Sequence, residues 1–342
     1  MLIGASSGGV VAPTLTIGST TNYNQDTAVF NATVNTTGNR NITSVEFQYS
    51  TSASFASGNS AFFTASTNAT IAQGATSTAC TYNATGLSNG TVYYVRFRVT
   101  NSSGFVTTSS IGGSFTTYSL KAYQTFNSSS TWTNPRPTSG TSGLAITSIQ
   151  DLLVVGGGGG GAANDFGGAG GGGAAVVTSG SMSIGSSVVV TIGGGGNGPI
   201  VFVANQAAST PSSIAGNTTV TANGGGYAYG SGSGNRAGDS GNGNIGGLQN
   251  GSSAGGGAGA GGAGQNAPST TVGGNGGAGI NGYGGGGGGC DSNSNSFFLD
   301  PNHGTPTGGG PANTGQGGGG INDQYGGSYG GSGYAQFRYY GP

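Results

Sequence analysis

Charge is what this sequence has least of: seven Lys and Arg, eight Asp and Glu and one His are spread over 342 residues, for a net charge of −1. There is no basic footprint for nucleic acid and no acidic tail. So few ionised groups give little protection against association. Solubility must come from Ser, Thr, Asn and Gln, or from residence in a larger assembly. Cysteine is nearly absent too. Cys80 and Cys290 fall in different proposed domains, and a disulfide framework normally uses four or more cysteines, so both are read as unpaired. No apolar run approaches the ~20 residues of a membrane-spanning helix, and no membrane insertion is expected. Residues 1–13 have neither a basic flank nor a sustained apolar core, so no secretory signal is expected there. No segment keeps apolar residues at helical spacing.

Catalytic chemistry is equally thin. The single histidine, His303, sits in the turn-rich stretch Asp300-Pro301-Asn302-His303-Gly304 and is read as an exposed loop histidine, not as the base of a Ser–His–Asp triad. Asp291 and Asp300 flank that stretch, but their number and spacing make a poor metal site. Gly-x-Gly-x-x-Gly matches arise from glycine density alone, with no strand-to-helix context. The lone lysine, Lys121, is far from any phosphate-loop pattern. Eight dispersed acids do not single out a glycosidase pair. No enzyme, no cofactor and no metal are expected.

What is present is β structure and glycine. Across residues 13–118, short β-branched and aromatic runs alternate with turn residues such as Thr37-Gly38-Asn39. The clearest strand is 92–100, where Tyr93, Val95, Phe97 and Val99 face one way and Tyr94, Arg96, Arg98 and Thr100 the other. Leu87 through Gly104 resembles the E–F region of a fibronectin type III domain. The resemblance implies that Tyr93 forms a tyrosine corner, its hydroxyl bonding back to upstream backbone. Ser114-Phe115-Thr116-Thr117 resembles the closing strand. The usual buried tryptophan is missing, and Phe30 is the expected substitute.

Beyond Tyr118 the composition changes, and apolar strands repeatedly run into glycine. Residues 126–135, 153–161, 188–196 and 333–339, with the glycine tract at 224–333 between the last two, are similar to the glycine-rich domain of tail fibres and minor structural proteins of tailed bacteriophages. The expected fold is therefore all-β: an attachment arm or linker at 1–12, an Ig/fibronectin III-like sandwich at 13–118, and a glycine-rich β module at 119–342.

The 80 glycines are roughly threefold the usual share. Each costs about 0.5–1 kcal/mol more than alanine to order, and the tract has almost no side chains to bury. Lateral backbone pairing can offset this. Polyglycine-II helices have three residues per turn and no internal hydrogen bonds, so every N–H and C=O points outward to a neighbour. Strict three-residue sequence periodicity is absent, which excludes collagen. A bundle of short polyglycine-II helices on a β base is one reading; flexible glycine loops on a sandwich is the other.

Specificity on a rigid scaffold belongs to its loops. The loops at 162–166, 227–236, 281–283, 290–306 and 321–329 supply Phe166, Tyr227, Tyr229, Arg236, Tyr283, Phe297, Phe298, His303, Tyr325 and Tyr329. Tyrosine among Ser, Gly and Asn is paratope chemistry. The same aromatics also suit capping or internal packing. The resemblance implies a virion protein, a tail-fibre, tail-tip or capsid-fibre component, extracellular after release. Its implied partners are other virion proteins, further copies of itself (as a trimer) and a bacterial surface glycan or outer-membrane protein. A purely architectural virion protein and a secreted bacterial surface or matrix protein are the alternatives.

Overall fold

The computed structural model describes residues 9–136, 138–139, 143–162, 171–197, 208–227, 237–248, 255–267, 274–288, 310, 312–318 and 329–342. Among these there is no helix, and the strands form several open sheets with no barrel, so the protein is all-β. The strands are β1 (Thr14–Ile17), β2 (Ala28–Thr36), β3 (Ile42–Ser50), β4 (Phe63–Thr64), β5 (Thr76–Ala84), β6 (Val92–Asn101), β7 (Val106–Thr108), β8 (Phe115–Thr116) and β9 (Ser119–Leu120). They continue as β10 (Gln124–Phe126), β11 (Ser130–Thr133), β12 (Ser148–Val155), β13 (Val176–Ser183), β14 (Ser187–Thr191), β15 (Ser212–Ala215), β16 (Thr219–Ala222), β17 (Tyr334–Arg338) and β18 (Tyr340–Gly341). The chain divides into two compact units. The first takes the described residues within Met1–Lys121, Arg136–Ile146 and Tyr339–Pro342, and the second those within Ala122–Pro135 and Thr147–Arg338.

In the first unit, strict alternation decides which side chains are buried. Tyr93, Val95, Phe97 and Val99 of β6 point inward, and Tyr94, Arg96, Arg98 and Thr100 are half-exposed. One sheet has the order β1-β2-β5, and the other β4-β3-β6-β7, with β8 also beside β6. Their inner faces share a single core in which Phe30, Phe47 and Phe97 are fully buried. The ring centroids of Phe47 and Phe97 lie 5.6 Å apart, and those of Phe30 and Phe47 6.4 Å. Burying such rings stabilises by about 1.5–3 kcal/mol each. The outward arginines are held by neighbours: Arg98 pairs with Glu46 at 2.8 Å and lies 3.7 Å from the Phe62 ring centroid. Arg96 donates to Gln48 at 2.8 Å and covers Phe55. The Tyr93 hydroxyl accepts the Ser88 N–H at 2.9 Å, fixing the turn before β6. Cys80 is a free, buried thiol.

The second unit holds two sheets of four strands, β10-β17-β12-β13 and β11-β14-β15-β16. Within it, Phe337 is fully buried, with Phe126 stacked on it at 5.4 Å and Trp132 edge-on at 5.4 Å. Strand β17 stops at Arg338. The residues that follow pair elsewhere, as β18 lies against β9 in the first unit.

Candidate functional site

The glycine segments after β12, β14 and β16 are not strands, yet many of their backbone groups make lateral hydrogen bonds. The N–H groups of Gly156, Gly157 and Gly158 donate to three different segments, at Ala175, Thr210 and Gly331, over 3.1, 3.0 and 2.8 Å. Gly159 then returns to the first neighbour, at Gly172. The same three-residue rhythm governs 171–175. Gly171 and Ala174 donate to Gly318 and Gly315, Gly172 and Ala175 to Gly226 and Asn223, and Gly173 to Ala258. In return, this stretch accepts bonds from Gly156 and Gly159, from Gly241 and from Gly287. It thus donates to three neighbours and accepts from three others, six in all. Buried backbone groups need partners, and here they find them laterally.

This packing requires glycine because of close approach. A Cβ at Gly158 would run into the Gln316 carbonyl oxygen, and one at Gly172 into that of Asp239. Alanine enters only where there is room for a methyl: Ala174 and Ala260 join Leu153, Val155 and Val176 in a small apolar cluster.

Tyr283 and Tyr334 pack against that cluster and stack on each other, with centroids 5.6 Å apart and planes 11° from parallel. The Tyr334 hydroxyl donates to Gln336 Oε1 at 2.7 Å. Burial, with a smaller contribution from Tyr283, pushes its pKa above the ordinary value of 10.0. Of the other aromatics expected to carry recognition, Tyr227 is half-buried just after the glycines that end in Gly226. Tyr329 is 64% exposed and bridges to Asn197. These three tyrosines are not brought into one cluster by any described contact. Phe166, Tyr229, Arg236, Phe297, Phe298, His303 and Tyr325 lie outside the described residues, as does Cys290.

Sequence reasoning passed over a second cluster. Asp151 interrupts the apolar run of β12 with a left-handed backbone, φ 50°. There the β12–β17 register slips: Gln150 faces Arg338, and the next pair is Leu153 with Gln336. Two residues of β12 thus stand opposite one of β17, which is a β-bulge. The Arg338 Nε donates to Asp151 Oδ2 at 2.7 Å, a second guanidinium nitrogen joins the same oxygen, and the guanidinium carbon lies 4.7 Å from the Tyr123 ring centroid. The signal in the sequence was a lone carboxylate inside Ile149–Val155, but its partner is 187 residues away.

A family model described as "Glycine-rich domain" matches residues 125–340. No curated protein and no solved structure matches the chain.

Proposed function

The chain belongs to the glycine-rich domain family, and from that premise we propose a structural protein of a tailed-bacteriophage virion, not an enzyme, serving as a distal adhesin of a tail fibre, tail tip or capsid fibre. The observation that carries this reading is the six-neighbour bonding of residues 171–175. We read the glycine segments as a bundle of polyglycine-II helices, whose outward-pointing backbone groups repeat every three residues. Such a body is stiff without a large side-chain core. It leaves the connecting loops at 162–166, 227–236, 290–306 and 321–329 to present recognition groups to a bacterial surface glycan or outer-membrane protein.

The first unit is read as a fibronectin III-like spacer. Its strand order and the bond from Ser88 N–H to the Tyr93 hydroxyl, in the manner of a tyrosine corner, support that reading. Residues 1–12 serve as an attachment arm, other virion proteins and further copies of the chain as partners, with a trimer favoured. Removing 227–236 and 290–306 together should abolish adsorption of the virion to its host while thermal unfolding stays cooperative. Undiminished adsorption by such particles rules out the adhesin role.

The stacking of Tyr283 on Tyr334 favours a second reading for that part of the surface, in which aromatics cap the bundle and the protein joins or decorates virion parts. Imaging of intact particles separates the two. A distal tip position supports the adhesin and an internal or lattice position the architectural role.

A further inference from the structure

A shallow groove of about 460 Å³ lies on the β10-β17-β12-β13 sheet, and Tyr123, Asp151, Ser179, Asn281, Gln336 and Arg338 contribute to its lining. Two backbone features mark it as more than ordinary sheet surface. Asp151 and Asn281 both take left-handed conformations, φ 50° and 51°, among only seven non-glycine residues that do so in the described part of the chain. Such positions are uncommon for residues with a side chain and concentrate at ligand clamps and turns. At Asn281 the cause is the tight Asn-Gly turn closed by the paired bonds of Ile280 and Tyr283; at Asp151 it is the bulge, a device that re-aims a side chain out of its strand's alternation. The third feature is Tyr123, exposed over 42% of its surface and steadied by the guanidinium of Arg338 near its ring.

The chemistry of the groove narrows the class of ligand. Arg338 spends its charge on Asp151, so the pair is close to neutral and poorly suited to hold an anion. The Asp151 carboxylate keeps free lone pairs as an acceptor, since an ionised carboxylate has about four acceptor sites. Gln336 and Asn281 bring amides that both donate and accept, and Ser179 brings a hydroxyl. An apolar ligand would leave these groups unpaired, which is costly. A flat ring beside planar hydrogen-bonding groups, without net charge, matches a pyranose: C–H groups on one face for the ring, neighbouring hydroxyls for the carboxylate and amides. We propose that this groove is a binding subsite for a neutral saccharide of hexose units. Apart from Tyr123, just before β10, and Asn281, in the turn at 280–283, its lining comes from strands, and none of it lies in 162–166, 227–236, 290–306 or 321–329, so it stands or falls independently of adsorption through those loops.

The test uses the full-length chain with neutral disaccharides of glucose, galactose and mannose, and a glucuronate-containing disaccharide for comparison. Saturation-transfer NMR and calorimetric titration read binding. The expected result is millimolar or tighter binding of at least one neutral disaccharide. Tyr123→Ala should weaken it at least tenfold, and Tyr123→Phe should leave it within about twofold. Ser179→Trp, which fills the groove without removing a packed group, should abolish it. Three results overturn the proposal: no binding of any neutral disaccharide, equal binding by the wild type and Ser179→Trp, or a preference for the acidic sugar. Failure here leaves the adhesin reading untouched, because the loops are intact in every variant.

Discussion

Replacing Gly172 by alanine tests the lateral-bonding scaffold at one of its most crowded points. The added methyl carbon would overlap the Asp239 carbonyl oxygen and press on that of Gly238. Non-bonded carbon contacts settle near 3.5–4.0 Å, so the segment at 238–239 must retreat. Overpacking of this kind costs about 1–3 kcal/mol. The retreat also stretches the bond from Gly226 N–H to Asp239, now 2.7 Å, and disturbs the one from Gly172 to Gly226, now 2.8 Å. At a net ~1 kcal/mol for each bond, the combined loss is about 3–5 kcal/mol, against a typical domain stability of about 5–15 kcal/mol. For a unit of this size each kcal/mol moves Tm by about 2–4 °C, so a fall of roughly 10 °C is expected by calorimetry. Gly180→Ala is the control: it sits in β13 with nothing near its would-be Cβ. That change should leave Tm level or raise it slightly, since alanine lowers unfolded-state entropy by about 0.4–1 kcal/mol. Amide exchange supplies the local reading, with 171–175 losing protection in Gly172→Ala and keeping it in Gly180→Ala. A Gly172→Ala chain that melts with the wild type and protects those amides equally refutes the argument.

Two further outcomes concern the first unit. Tyr93→Phe removes the acceptor of the Ser88 N–H and should cost about 1–3 kcal/mol; amide exchange in β6 reads this, and unchanged protection would mean that the hydroxyl is dispensable. Burial pushes the Cys80 thiol from 9.0 up to about 11. The folded state therefore keeps a proton that the unfolded chain gives up. The resulting stability is fully present below pH 9 and is lost as pH rises through about 11. Denaturant melts at pH 8 and pH 11 should show a larger loss for the wild type than for Cys80→Ala. Equal losses would mean that the buried thiol plays no part.

Strands were legible where side chains alternate or apolar runs are continuous, as in β6, β12 and the start of β17. They were hidden where partners, not residues, dictate the conformation. Strand β13 contains Thr178-Ser179-Gly180-Ser181, which has little β preference of its own; it is extended because β12 pairs with it from Val155 to Ser148. Cluster Tyr123–Asp151–Arg338 was invisible for a related reason. A bulge is a property of two strands in register, and β12 alone gives no sign of where β17 will slip. Of the tyrosines expected to carry recognition, Tyr283 packs on Tyr334 and Tyr329 lies exposed.

The three-residue rhythm of the glycine segments stood in the sequence only as one of two readings, for a deeper reason. Sequence periodicity records where side chains point, and the segment 156–159 has none. Its period lies in the directions of N–H groups, as successive residues reach Ala175, Thr210, Gly331 and then Gly172. This separates two kinds of constraint that ordinary cores combine. In a side-chain core, a change of residue alters both the packing and the surface that it supports. Here the interior has no room for a side chain at positions such as Gly158 and Gly172, while the recognition groups proposed above lie in the connecting sequences. Substitution in the segments should therefore be punished by collision, and substitution in the connections should alter what the surface binds while leaving the scaffold standing. A protein under pressure to change its ligand gains from that division, because recognition can vary without renegotiating the fold.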